Sequence, residues 1–191
     1  MNNDAFNKIK KKYSRVGSWA IWAESSSSDT SNIEIFDTKI NKGILKNLHS
    51  QYIFVALNIS GPIISRPFGN FHGGKRDFML RDAIKGSPLV GSYMTDIIKF
   101  HPDVSSASVG RYFKQNPEAL KQHFDYFKSE ISDVGATDES QIIALGNLTY
   151  KFLIQASIKN KLFKLTHYSS PTLSKLAYKQ EVSNLLGKLG I

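Results

Sequence analysis

Apolar residues along this chain fall into short continuous runs separated by longer amphipathic stretches, the alternation expected of strands and helices in an α/β sheet. YIFVALN (52–58) is apolar almost without interruption and rich in β-formers. It runs into the turn residues Ser60, Gly61 and Pro62, which predicts a strand buried on both faces. SYMTDII (92–98), QIIALG (141–146) and LFKLTHY (162–168) read as three further strands. FMLRDAIK (78–85) has helical apolar spacing, residues 105–131 read as helical with a break at Pro117, and residues 147–158 and 174–189 supply two more helices. The serine-rich ESSSSDTSN (24–32) predicts an exposed loop, set between a first helix with an edge strand, SWAIWA (18–23), and the main sheet. IEIF (33–36) after it predicts a short hairpin partner. About four buried strands alternating with helices predict one domain over residues 1–191: a three-layer α/β/α fold with a central, mostly parallel sheet.

Three polar segments, 58–81, 96–102 and 167–171, each follow one of these apolar runs. Ligands of open α/β sheets bind in the crevice beyond the carboxyl ends of the strands, so the three loops predict one shared pocket. The chain has no Cys, which excludes disulfides, thiolate catalysis and sulfur-ligated metals. Its five His are scattered without metal-ligand spacing, and no cofactor or metal is expected. GxxxxGK[ST], GxGxxG and GxSxG are all absent from the sequence, setting aside P-loop, dinucleotide and α/β-hydrolase readings. MNNDAFNKIKKKYSR has the basic residues of a leader without an apolar segment after it, and no apolar stretch has membrane-spanning length; both predict a cytoplasmic protein. With 25 Lys+Arg against 16 Asp+Glu the formal charge is +9, which suits a polyanionic partner such as a nucleic acid and equally a Lys-rich soluble surface.

VALNIS (55–60), GNFHGGKRDFMLRD (69–82), YMTDIIKFHPD (93–103), QIIALG (141–146) and LTHYSSPTLS (165–174) together resemble, in order, the motifs of the uracil-DNA glycosylase superfamily. The resemblance covers roughly 52–174 and implies a parallel sheet whose active-site motifs follow the first and last core strands. It implies a DNA glycosylase-like hydrolase that removes a damaged or non-standard base by cleaving the N-glycosidic bond, with DNA or a nucleobase-containing ligand as partner. Two alternatives stay open on the same fold: a non-catalytic module that binds a nucleobase, a nucleotide or nucleic acid, and a small-nucleoside hydrolase. The chain departs from the family pattern in lacking the catalytic Asp of the first motif, in Ile59-Ser60 for Pro-Gly, in Tyr168 for Pro, and in having no Cys for an iron–sulfur cluster.

The resemblance assigns roles residue by residue. Asn58 would position the attacking water and His167, neutral, would donate a hydrogen bond to the leaving base. Each also reads as structural, Asn58 as a turn residue capping its own backbone and His167 as a satisfied strand-end His. Phe71, and in second place Phe68, would stack on the flipped base, although such a residue is more often simply core. Ser169 and Ser170 would bind phosphate, Leu173 would wedge into the duplex, and Lys75 and Arg76 would meet the DNA backbone. Asp96 falls where the family has the Asn that reads the base. An ionised Asp only accepts hydrogen bonds and so suits a base edge of donors rather than uracil, or else it is a structural carboxylate paired with Lys99 or Arg76.

Overall fold

The computed structural model describes residues 1–25, 27–61 and 66–191; Ser26 of the serine run and Pro62 of the expected turn lie outside them. The 52–58 run forms the centre of a five-stranded sheet. This strand, β2 (His49–Asn58), pairs in parallel with β3 (Ser92–Ile98) on one side and β4 (Gln141–Leu145) on the other, and β5 (Leu162–Leu165) extends the sheet beyond β4. The edge strand β1 (Gly17–Trp19) lies antiparallel on the outer side of β3, giving the order β1-β3-β2-β4-β5. The sheet is therefore mostly parallel, and its five strands among the described residues are the four expected from the apolar runs with the expected edge strand added.

Alternation along the strands sorts the core into two faces. Ile53, Val55 and Leu57 of β2 and Ile142 and Ala144 of β4 meet α1 (Asn3–Tyr13), α3 (Ser106–Gln115), α4 (Pro117–Asp133) and α5 (Asn147–Gln155). Tyr52, Phe54 and Ala56 with Ile143 and Leu145 meet α2 (Asp77–Ile84) and α6 (Lys175–Leu189) on the other face. Covering both faces of a parallel sheet is what allows its strands to be apolar throughout. Helix starts follow local chemistry: Asn2, Ser105 and Ser174 accept the first free backbone N–H groups of α1, α3 and α6, and Pro117 opens α4 where its missing N–H costs nothing.

The differences from the sequence reading lie at element ends. IEIF is a 3-10 turn, Glu34–Phe36, rather than a hairpin partner. Asn32 Oδ1 accepts the Glu34 N–H and Asp37 Oδ1 that of Lys39, so local side-chain bonds displace a ladder. SWAIWA pairs only at Ser18 and Trp19, with two further bonds at Ala20, whose N–H donates to Ser92 O and whose carbonyl accepts the Gly91 N–H. α5 ends at Gln155, and Ser157 takes a left-handed φ of 54° just beyond it. LFKLTHY is extended only to Leu165, because Thr166 bonds Glu181 and the chain turns at His167. No helix among the described residues is long and apolar enough to cross a membrane.

A buried ion pair fixes the carboxyl end of β3. Lys99 Nζ lies 2.5 Å from Glu130 Oε2 of α4, both side chains almost wholly buried, and Lys99 also donates to Thr95 Oγ1. Tyr93 and Thr95 hydroxyls each donate to Glu130 Oε1 at 2.7 Å. Removing one partner of such a pair leaves an uncompensated buried charge. Lys99→Met is expected to cost about 3–5 kcal/mol in urea unfolding. The double variant Lys99→Met/Glu130→Leu should recover most of that loss; equal losses in the two proteins would mean that Glu130 does not depend on Lys99.

Candidate functional site

The connections after β2 and β5, with Asp96 from within β3, meet at one cavity of about 290 Å³ at the carboxyl end of the sheet, and among the described residues none of the connection after β3 is in its lining. Chain direction across the sheet reverses at β2, whose neighbours are β3 and β4, so the cavity sits where an open α/β sheet places its ligand. Ala56 and Asn58 come from the end of β2, Asp96 from β3, and His167 and Tyr168 from the turn after β5. Gly69 to Gly74 and Asp77, at the start of α2, complete the wall. Of the residues predicted from sequence, Asn58, Asp96, His167 and Phe71 thus line a single cavity.

The loop that carries Phe71 is stitched to the edge strand. Phe68 N–H donates to Ser14 O and Ser18 Oγ to Phe68 O, while Asn70 Nδ2 reaches Val16 O and Trp22 Nε1 reaches Phe71 O. These bonds hold Phe68 and Phe71 at positive φ, 60° and 67°, a conformation that non-glycine residues adopt only under constraint. Phe68 is 0% exposed and packs between Phe6 and Phe36, with ring centroids 5.4 and 5.3 Å away. It is core, which removes it as a stacking platform and leaves Phe71, half-buried on the cavity wall.

His167 is fixed in one tautomer. Its Nδ1 accepts the Ser169 backbone N–H at 3.2 Å and lies 2.8 Å from Ser169 Oγ. A backbone N–H can only donate, so Nδ1 carries no proton and the neutral ring holds its hydrogen on Nε2. Although half-buried by surface, the ring is enclosed deeply enough that desolvation pushes its pKa down to about 4. Asn58 is oriented as firmly: Nδ2 lies within 3.0 Å of the carbonyls of Ile59, His101 and Asp103, which ties the end of β2 to the loop after β3. Both donors are engaged, and among the described residues nothing donates to Oδ1.

Asp96 is 4% exposed and accepts Asn70 Nδ2 at 2.9 Å. It pairs with neither Lys99 nor Arg76, since Lys99 is held by Glu130 and Arg76 by backbone carbonyls. Burial pushes its pKa up to about 6 against the pull of Lys99. A second buried carboxylate, Asp77, was not foreseen. It is 5% exposed, accepts the Gly74 N–H at 2.8 Å, and is likewise pushed up to about 6 by burial. Its sequence signal was an acid in the first turn of a helix after a glycine pair, ordinary for a helix start.

Several predicted DNA contacts are engaged within the protein. Arg76 donates to the carbonyls of Tyr168 and Leu173 and pins the 167–173 turn to α2, so its guanidinium does not face outward. The backbone N–H groups of Ser169 and Ser170 bond His167 Nδ1 and His167 O, and the Ser170 hydroxyl bonds Thr172. Leu173 is partly buried against the core rather than projecting as a wedge, whereas Leu176 is 80% exposed. Lys75 is exposed, next to the cavity-lining Gly74. No protein-family model matches the chain, and no curated protein matches its sequence.

The two classes of shifted group make opposite contributions to stability. Asp96 holds its proton more tightly in the fold (about 6) than unfolded (3.8), so its burial penalises the folded state above pH 6 and that penalty fades as pH falls toward 3.8. His72 and His167, pushed down from 6.5 to about 4, cost stability as pH falls through that interval. Asp96→Asn keeps an acceptor for Asn70 and is expected to raise stability at pH 8 by up to about 2–3 kcal/mol, several degrees in Tm, with the gap to the parent closing by pH 4. Equal melting curves at pH 8 would contradict an ionised, buried Asp96.

Proposed function

We propose that this protein is a DNA glycosylase-like hydrolase of the cytoplasm that excises a damaged or non-standard base, on a fold like that of the uracil-DNA glycosylase superfamily. The observation that carries this reading is the meeting, in one cavity at the carboxyl end of the sheet, of Asn58, Asp96, Phe71 and a His167 held neutral with its proton on Nε2. A base cannot be cut while stacked, so the nucleotide is extruded into the cavity. Phe71 stacks on it, and Asp96 reads its hydrogen-bonding edge. Asn58 Oδ1 accepts a hydrogen from the attacking water, with the amide locked by its three carbonyl contacts. His167 Nε2–H donates to the departing base, and a neutral donor of fixed tautomer needs no reorganisation during the step.

Surface chemistry supports a nucleic-acid substrate. The chain carries +9, and the loop after β3 exposes Phe100, Val104 and, in α3, Tyr112, with the His101 ring 4.8 Å from Tyr112. Aromatic and apolar groups in a basic setting suit unstacked bases. A second reading, a binding module without catalysis, is favoured by the engagement of both Asn58 amide donors in holding loops.

An abasic-site assay separates the two. Oligonucleotides carrying uracil, hypoxanthine, xanthine or alkylated bases are incubated with the protein and alkali-labile breaks are scored. Breaks that fall at least about 100-fold in His167→Ala and Asn58→Ala support the glycosylase. Activity should rise with pH through about 6, as Asp96 and Asp77 ionise, while His167 stays neutral across that range. Intact oligonucleotides throughout would leave the binding module.

A further inference from the structure

Among the described residues, the cavity wall is rich in acceptors and carries no Lys or Arg. Asp77 and Asp96 are both about 95% buried, and among the described residues neither meets a Lys or Arg in a salt bridge. Their partners are neutral: the Asn70 amide for Asp96, the Gly74 N–H and the Tyr168 hydroxyl for Asp77. Of the nearby cations, Lys99 is committed to Glu130 and Arg76 to the 167–173 turn, while Arg15 shares a small cleft with Asp96 and Arg66 lies near His72, neither in a salt bridge among the described residues. A third polar group points the same way. His72 lines the cavity, is 6% exposed and packs between Trp22 and Phe36, and neither ring nitrogen makes a hydrogen bond of good geometry, although the Trp19 and Thr30 carbonyls lie near. Two desolvated carboxylates without a counter-ion are costly in an empty site and are compensated when a ligand brings the charge.

From this charge balance we propose that the base received is a cationic purine alkylated on a ring nitrogen, rather than uracil. The inference deepens the glycosylase reading and rests on it. Uracil presents one N–H between two carbonyl oxygens, and those oxygens would face carboxylates; an alkylated purine brings a fixed positive charge and N–H donors on its edge. The cavity, of about 290 Å³, has room for a single extruded base. In the reaction, water oxygen bonds to C1′ as the bond from C1′ to the purine nitrogen breaks. The electron pair of that bond enters the purine ring and cancels its charge, so the base leaves neutral. The proton of the water passes to the Asp77 carboxylate and then to solvent, leaving a hydroxyl on C1′. Positive charge moves from the ring to the sugar in the transition state and stays in the field of the same carboxylates.

Two measurements on the full chain test this. In the first, release of 3-methyladenine and 7-methylguanine from dimethyl sulfate-treated duplex DNA is quantified by chromatography beside release of uracil and hypoxanthine from matched oligonucleotides. Alkylated purines should be released at least tenfold faster. Faster release of uracil or hypoxanthine would overturn the substrate class while leaving the glycosylase standing. In the second, calorimetry compares 1-methyladenosine, a nucleoside cation, with uridine, in the parent and in Asp96→Asn. The cation should bind at least tenfold more tightly than uridine, and Asp96→Asn should remove that preference. If no base is released from any DNA but this Asp96-dependent binding holds, the hydrolase fails and the ligand class survives; with neither release nor preference, the inference is wrong.

Discussion

The Lys99–Glu130 pair sets the electrostatic state of the cavity without lining the same wall as His167. Successive side chains of β3 point to opposite faces, so Thr95 joins Glu130 beneath the α4 layer while Asp96 faces the ligand side. Burial governs that carboxylate and outweighs the pull of Lys99, whose partner Glu130 pushes the other way. The pair also explains a glycine: a Cβ on Gly17 would fall 2.1 Å from the Tyr93 hydroxyl that bonds Glu130, so the edge strand passes this point only without a side chain.

The three loops that build the site are held by donors turned on backbone carbonyls. Asn58 joins the β2 end to the loop after β3, Arg76 joins the start of α2 to the turn after β5, and Asn70 and Trp22 join the Phe71 loop to the first strand. Each bond satisfies a buried or half-buried carbonyl that would otherwise be costly, and each removes a side chain from direct contact with a ligand. The loops are thereby preorganised, and the left-handed backbone at Phe68 and Phe71 is maintained by the surrounding contacts.

Surface and cavity carry opposite character. The outside is a basic shell of exposed lysines, with +9 over the chain, whereas the cavity holds two buried carboxylates and two neutral imidazoles. Long-range attraction for a polyanion and short-range selection of a donor-bearing or cationic group are separable requirements, since surface charges are screened by salt and buried ones much less.

The amino-acid sequence by itself determined the strands and helices, because continuous apolar runs such as 52–58 and 92–98 can be buried only inside a covered sheet and the caps at Asn2, Ser105 and Ser174 act within a few residues. It also placed Asn58, Asp96 and His167 at strand ends, and strand ends of a parallel sheet necessarily gather on one edge. What only tertiary structure decided were the partners. Phe68 and Phe71 are three residues apart in one loop, and only packing against Phe6 and Phe36 assigns one to the core and the other to the wall. Arg76, Ser169 and Ser170 have the chemistry of phosphate ligands, yet hold the turn at His167 because their acceptors lie across the fold or within that turn. Asp77, Asn70 and His72 gave no periodic signal: their state comes from burial and from the neighbours that reach them, and both are properties of contacts between segments distant along the chain.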